Sequence, residues 1–392
     1  MKKILIAGFA VLIVLTATIA AREESGKQKS MAEAYRSGVI KFVPVVTINE
    51  AVLPKDVYFQ GPVDVACDPE GNVYVCDSKA NVIFKFDPAG AFLKTIGRKG
   101  QGPGDFNMPF LIAVTKDRQF VWDLGNRRIC ALAPDGTFLK SRNVEWSDGR
   151  PQGMRSLPNG DILLGWEITD FQNFDKPQDF SLRIMSPDLK IGEPIYQRDV
   201  WRDKYARLEG QTTNVPQPFS PFVSWDVAPD GKIFVSDQKS YEIEIFDPVK
   251  GRLSSFKHDR TPVKVTEKDK EIFFAEMVSS VTYDGITSVP MKGAPDYIVK
   301  ATVFPEKKPP FFNLMSDAEG NLLIFPYLDD RSAERKAFDV FSPEGRFLGF
   351  VKLEEKRSRL MKTAPWKGGF WTFNYDEDGI PSLVKYRIEG IK

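Results

Sequence analysis

Histidine is almost missing from this chain. His258 is the only one in 392 residues, and cysteine occurs three times, at Cys67, Cys76 and Cys130. A single histidine excludes multi-histidine metal sites. Any Ser-His-Asp triad would have to use His258, which lies in the polar run KHDR (257–260) and reads as a solvated loop residue. No C-x-x-C occurs, so zinc-ribbon and thioredoxin-type sites are excluded. Across the turn DPEG (68–71), pairing would place Cys67 opposite Asn72 and Cys76 opposite Val63. The sulfurs would then lie roughly 13 Å apart, too far for a disulfide, and the cysteines read as buried free thiols. Excess charge of one sign is lacking too. The chain carries 54 basic and 53 acidic residues, which leaves no electrostatic footprint for nucleic acid or an anionic membrane.

One apolar run stands out, at the N-terminus. Lys2 and Lys3 precede an apolar stretch from Ile4 to Leu15, followed by small residues. This is a secretory signal pattern over 1–21, with Thr18-Ile19-Ala20 as the cleavage site, and an uncleaved membrane anchor is the rival reading. No cysteine lies nearby to carry a lipoprotein anchor. A secreted or periplasmic location follows, with 22–37 as a linker.

Beyond residue 38 the chain repeats. VDVACDPEGNVYVCDSKANVIFKFDPAGAFLKTIG (63–97) aligns without a gap with PFLIAVTKDRQFVWDLGNRRICALAPDGTFLKSRN (109–143) and with VSWDVAPDGKIFVSDQKSYEIEIFDPVKGRLSSFK (223–257). Each unit contains four short strands separated by Asp/Ser-Pro-x-Gly-like turns, in which proline presets φ and glycine takes positive φ. Weaker copies begin near 153, 311 and 360. The last is one strand short, and GVIKFVPVVTINE (38–50) alternates like the missing strand. Six four-stranded antiparallel meanders closed by an N-terminal strand describe an all-β, six-bladed β-propeller over 38–392. One segment breaks the pattern, 259–310 between units four and five. There TEKDKEIFFAEMVSSV (266–281) reads as an amphipathic helix with Thr266 as N-cap and Ile272, Phe273 and Met277 on one face.

IGRKGQGPGDFNMP (96–109) raises the question of a phosphate loop. No GK[ST] follows and no helix begins after it, so the anion-binding geometry is missing. The segment reads as the crossing from the outer strand of unit one to the inner strand of unit two. The residues GNVYVCDSKANVIFKFDPAGAFLKTIGRKGQGPGDF resemble the NHL-repeat propellers, and more closely the bacterial secreted six-bladed β-propeller group. The resemblance rests on Asp77 ending the second strand, on Phe86-Asp87-Pro88-Ala89-Gly90, and on Ile96 to Phe106, where Asp105 replaces the usual glutamate. It covers roughly residues 38–390 and implies the fold without naming an activity.

Inner-strand register supplies the site candidates. Asp64 aligns with Phe110, Ser224 and Asn313, and Ala66 aligns with Ile112, Arg155, Asp226 and Met315. Shared parity puts Asp64, Arg155, Asp226 and Asn313 at the channel mouth, with Trp225 adjacent. Asp77, Asp123 and Asp237 repeat at one register and read as caps on the following loops. Arg98, Lys99, Arg127 and Arg128 lie on the same face, as do Trp146, Arg150, Trp201 and Arg202, residue types favoured as partner anchors. The expected function is a non-catalytic binding module for a protein, peptide or glycan, with no cofactor, no nucleic acid, and membrane contact only through an uncleaved N-terminal segment. The alternative is a calcium-dependent hydrolase or lyase, similar in outline to the gluconolactonase-type propellers. Asp64, Asp226 and Asn313 would hold the metal, but no matching inner-strand glutamate is present.

Overall fold

The computed structural model describes residues 30–168, 177–200, 203–208, 211–276, 278–283, 287–329, 337–353, 362–376 and 378–391. Five four-stranded antiparallel blades span 62–96, 109–143, 150–200, 224–257 and 311–353, each ordered from inner to outer strand as in the chain. The sixth takes its inner three strands from Thr363–Trp366, Gly369–Tyr375 and Pro381–Gly390. Its outermost strand is Val39–Ile48, which runs antiparallel to Pro381–Gly390 from Ile40↔Gly390 to Ile48↔Leu383. The expected N-terminal closure therefore forms. The same strand also touches blade five in parallel at Val39↔Lys352 and Ile40↔Leu353, linking the last two blades into one sheet.

The core is distributed around the ring. Blades stack face to face, and six buried clusters fill the six interfaces between neighbours. The cluster between blades six and one, with Trp371, Phe373 and Leu383 against Val65, Val75 and Phe84, closes the circle. Such alternation of side chains to the two faces of each blade is what period-two patterning dictates.

Two faces of the disc differ in build. On one, strands are joined by tight turns such as 68–72. There Asp68 accepts from the Asn72 backbone N–H at 2.8 Å, and Gly71 takes φ +87°, a conformation costly for other residues. The opposite face carries the inter-blade crossings and every large addition to the propeller among the described residues. These are a hairpin (Asp203–Leu208 with Gln211–Pro216) and the 259–310 insertion.

Several expectations change. Within the expected linker, helix α1 (Met31–Tyr35) is docked, with Tyr35 fully buried and its hydroxyl donating to Asp317 at 3.0 Å, while 22–29 lie outside the described residues. The helix expected over 266–281 is shorter. Helix α2 covers Glu267–Glu276, and Val278–Tyr283 instead pairs with Thr287–Lys292 as a hairpin, followed by helix α3 (Asp296–Ala301). The β-branched Val278, Val281 and Thr282 favour strand over helix. Thr266 does cap α2, accepting from Asp269 N–H at 3.2 Å while the Asp269 carboxylate takes the Thr266 N–H at 2.9 Å. Phe273 and Phe274 pack edge-on against Phe304; Met277 lies outside the described residues. His258 is half-buried rather than solvated, stacked on Phe347 and edge-on to Tyr241 and Phe341.

Candidate functional site

Inner-strand residues of one parity do point one way, and that way is toward the next blade. Asp64 of blade one accepts from the Ile112 N–H of blade two at 3.0 Å. Asp226 of blade four accepts from the Ser316 N–H of blade five at 2.8 Å. Arg155 of blade three reaches Asp226 with its Nε at 2.9 Å and donates from Nη1 to the Met154 carbonyl. Asn313 of blade five is half-buried at the same register and makes no hydrogen bond among the described residues. The structure thus gathers Asp64, Arg155 and Asp226 into one electrostatic group. Burial alone would ease the proton off Arg155; the carboxylates of Asp226 and Asp64 outweigh it and raise the guanidinium pKa.

Lys362, just before the inner strand of blade six, completes this belt. Its Nζ lies 3.8 Å from Asp64. Sequence reading passed over it because the copy that begins near 360 was too weak to align its inner strand with Asp64. Exposure divides the belt by sign. The Asp64 and Asp226 side chains keep 2% and 12% of their surface open, whereas Lys362 and Arg155 keep 38% and 37%.

Trp225 does not belong to the mouth. Its parity is opposite, and the indole lies against Gly153 and Gly165 of blade three, where a Cβ would come within 2.8 Å of it. It is an inter-blade wedge admitted by two glycines. Phe110, expected to match Asp64, is instead the extra residue of a bulge between Pro109 and Leu111, and it is 41% exposed.

Arg128 is likewise not a free anchor. Its side chain is 11% exposed and donates to Asp123 (3.1 Å) and to the carbonyls of Gln101, Gly102 and Asp105 at 3.0, 3.0 and 2.7 Å. The glycine-rich crossing wraps around this guanidinium. Gly97 takes φ +78° against the fully buried Phe106 ring, and Phe106 plugs the interface of blades one and two. Asp105 holds Arg98 at 2.8 Å. The segment is a structural crossing, with Arg98 (82% exposed) and Arg127 (50%) left open on this face. Arg150 pairs with buried Glu167 at 3.1 Å and lies over Trp146. Trp201 and Arg202 lie outside the described residues.

The repeated aspartates do more than cap. Asp77 accepts from Ala80 in the loop that follows, and also from Gln60 and Gly61 in the crossing that precedes its blade. Asp123 holds Asn107 and Asn126 in the same manner. In blade four the latch passes to Gln238, whose amide donates to Ser224 at 2.7 Å, while Asp237 only caps Lys239. Two further charged pairs on this face had no motif to announce them. Buried Asp339 binds Arg260 through two bonds and the Tyr241 hydroxyl. The Lys308–Asp269 pair (3.0 Å), with both side chains 2% exposed, joins the insertion to itself beneath the rings of Phe219 and Tyr327. All three cysteines are free; Cys67 pairs across the strands with Val73, and Cys76 with Asp64.

Comparison with known proteins agrees with the fold. A family model described as a 6-bladed beta-propeller matches residues 16–199. A Bacteroides fragilis protein described as a "putative exported protein" superposes with a TM-score of 0.52 at 12% identity, covering 93% of this chain and 98% of its own. A DUF4221-family protein from Bacteroides vulgatus gives 0.54 at 11%, covering 91% and 100%. A gluconolactonase from Xanthomonas campestris gives 0.41 at 12%, covering 88% and 97%. No curated protein matches the sequence. At these identities the likeness is one of fold.

Proposed function

We propose that this six-bladed propeller is a secreted or periplasmic binding module that engages a protein, peptide or glycan on its loop-rich face and performs no catalysis. The observation carrying this reading is the asymmetry of the disc. One face is closed by short turns, while the other gathers the hairpin at 203–216, the 259–310 insertion and the exposed Arg98 and Arg127. Loops on a rigid scaffold are where recognition concentrates. The balanced charge supports neither nucleic acid nor lipid as partner, and membrane contact would come only through the N-terminal apolar segment.

The calcium-dependent alternative is less well supported. Both oxygens of Asp64 and of Asp226 are already engaged, by two backbone N–H groups and two cations. A calcium ion needs six to eight oxygen ligands, and Arg155 and Lys362 would repel it. Charge reversal tests the reading. Arg98→Glu and Arg127→Glu on the loop-rich face should each abolish capture of a protein, peptide or glycan from a periplasmic extract, while Lys116→Glu on the turn face should leave it intact. Loss only with the turn-face variant would refute the assignment, as would a calcium-dependent turnover that vanishes in Asp64→Ala or Asp226→Ala.

A further inference from the structure

We infer that the channel mouth is a receptor for a ligand carboxylate, held between Arg155 and Lys362. The inference rests on the binding-module reading and gives it a chemistry. Two ion pairs lie here, Arg155 with Asp226 and Lys362 with Asp64, and the field of Asp64 reaches Arg155, yet acids and bases are not presented alike. The two acids are closed in, each with one oxygen on a backbone N–H of the following blade. The two cations remain open, at 37% and 38%.

Donors are also left over. Arg155 uses Nε and Nη1, so Nη2 has no partner among the described residues. The Lys362 ammonium makes no hydrogen bond among the described residues, since its 3.8 Å approach to Asp64 is too long for one. The Asn313 side-chain amide is likewise without a partner among the described residues. A planar two-oxygen anion accepts from such donors, as carboxylates do from guanidinium groups.

Charge selects the carboxylate over phosphate. Asp64 and Asp226 cancel Arg155 and Lys362, so the belt is neutral before a ligand arrives. One added negative charge meets open cations, while a doubly charged phosphate would also press against the two carboxylates behind them. Blade two contributes no charge to the belt. The occupant is therefore an organic monocarboxylate.

Calorimetric titration of the full-length protein with benzoate, benzamide and inorganic phosphate tests this. Benzoate should bind, and benzamide and phosphate should bind at least tenfold more weakly. Lys362→Met should weaken benzoate about tenfold, the loss expected for one charge-assisted hydrogen bond. Arg155→Lys, which keeps the charge beside Asp226 and loses Nη2, should weaken it similarly. Absence of benzoate binding, equal affinity for benzamide, tighter binding of phosphate, or an unchanged affinity in Lys362→Met would each overturn the site. Those results leave the binding-module reading standing if partner retention still depends on Arg98 and Arg127. Ester or lactone turnover lost in Asp64→Ala would overturn both.

Discussion

Replacing Arg128 with alanine should cost more stability than any exposed arginine on this face. The guanidinium is the cation beside Asp123, a carboxylate with no exposed surface, and it ties down three carbonyls of the glycine-rich crossing. Breaking a buried pair by removing one partner costs about 3–5 kcal/mol, because the other charge stays buried and unpaired. Water can reach the Gln101, Gly102 and Asp105 carbonyls once the side chain is gone, so their loss adds about 1 kcal/mol in all. We expect a net loss of about 4 kcal/mol at pH 7 in urea unfolding. Asp123→Asn in the same background should recover part of it, since a neutral amide needs no cation and still offers an oxygen to the Asn107 N–H. The coupling between the two substitutions should reach about 2 kcal/mol.

The pH dependence carries a sign. Burial raises the Asp123 pKa against the hydrogen bonds of Asn107, Asn126 and Arg128, which lower it. Without Arg128 the pKa rises further. A raised carboxyl favours the folded state at low pH, and that contribution is lost as pH climbs from the ordinary aspartate range through the folded value. The Arg128→Ala deficit should therefore shrink as pH falls from 7. A loss under 1 kcal/mol, additive double-mutant values, or a deficit that grows on acidification would refute the assignment of Arg128 as the crossing's anchor.

Gly97→Ala should destabilise by about 2–4 kcal/mol in thermal denaturation. It forces an alanine into φ +78° and brings a Cβ within 2.4 Å of the Phe106 ring. The three thiols should resist iodoacetamide at pH 8 in the native protein and react fully in urea. Burial pushes Cys67 and Cys130 to about 12 and Cys76 well above the ordinary range, so fast native alkylation would contradict the packing. At Asp269, burial works to raise the pKa, but the Thr266 and Lys308 bonds outweigh it and the net shift is down. A depressed carboxyl stabilises above the ordinary aspartate value and loses that effect as pH falls through the folded pKa. Protection of the α2 amides from exchange, corrected for intrinsic rates, should consequently drop below about pH 4 before that of the blades, and Lys308→Ala should produce the same loosening at neutral pH.

The architecture was legible because turn chemistry and period-two patterning are local, and a propeller writes them down again in every blade. Register was less secure, and one turn shows why. Five residues separate Cys67 from its partner Val73 in blade one, but four separate Val114 from Gln119 in blade two. A gapless alignment that matches Asp77 to Asp123 therefore slips the inner strand by one residue. Asp64 corresponds to Leu111, each opposite the residue before the repeated aspartate, and Phe110 falls on the bulge. A slip of one reverses which neighbour a side chain faces, so the expected belt gained a false member in blade two.

Partners were not legible at all, because they arrive from other blades. Asp64 could be recognised as an inner-strand acid. That its oxygens are taken by Ile112 and Lys362 depends on residues 48 and 298 positions away. Arg128 had the sequence appearance of an exposed loop arginine, and only the crossing folded over it makes it interior. Repeat register placed two acids and an amide at the mouth beside Arg155, and the acids and amide suggested a cation. Tertiary structure reverses the sign of what the mouth presents, by turning the acids toward the next blade's backbone and leaving the cations open. The chemistry of a channel lined by paired charges is set by which partner keeps its surface.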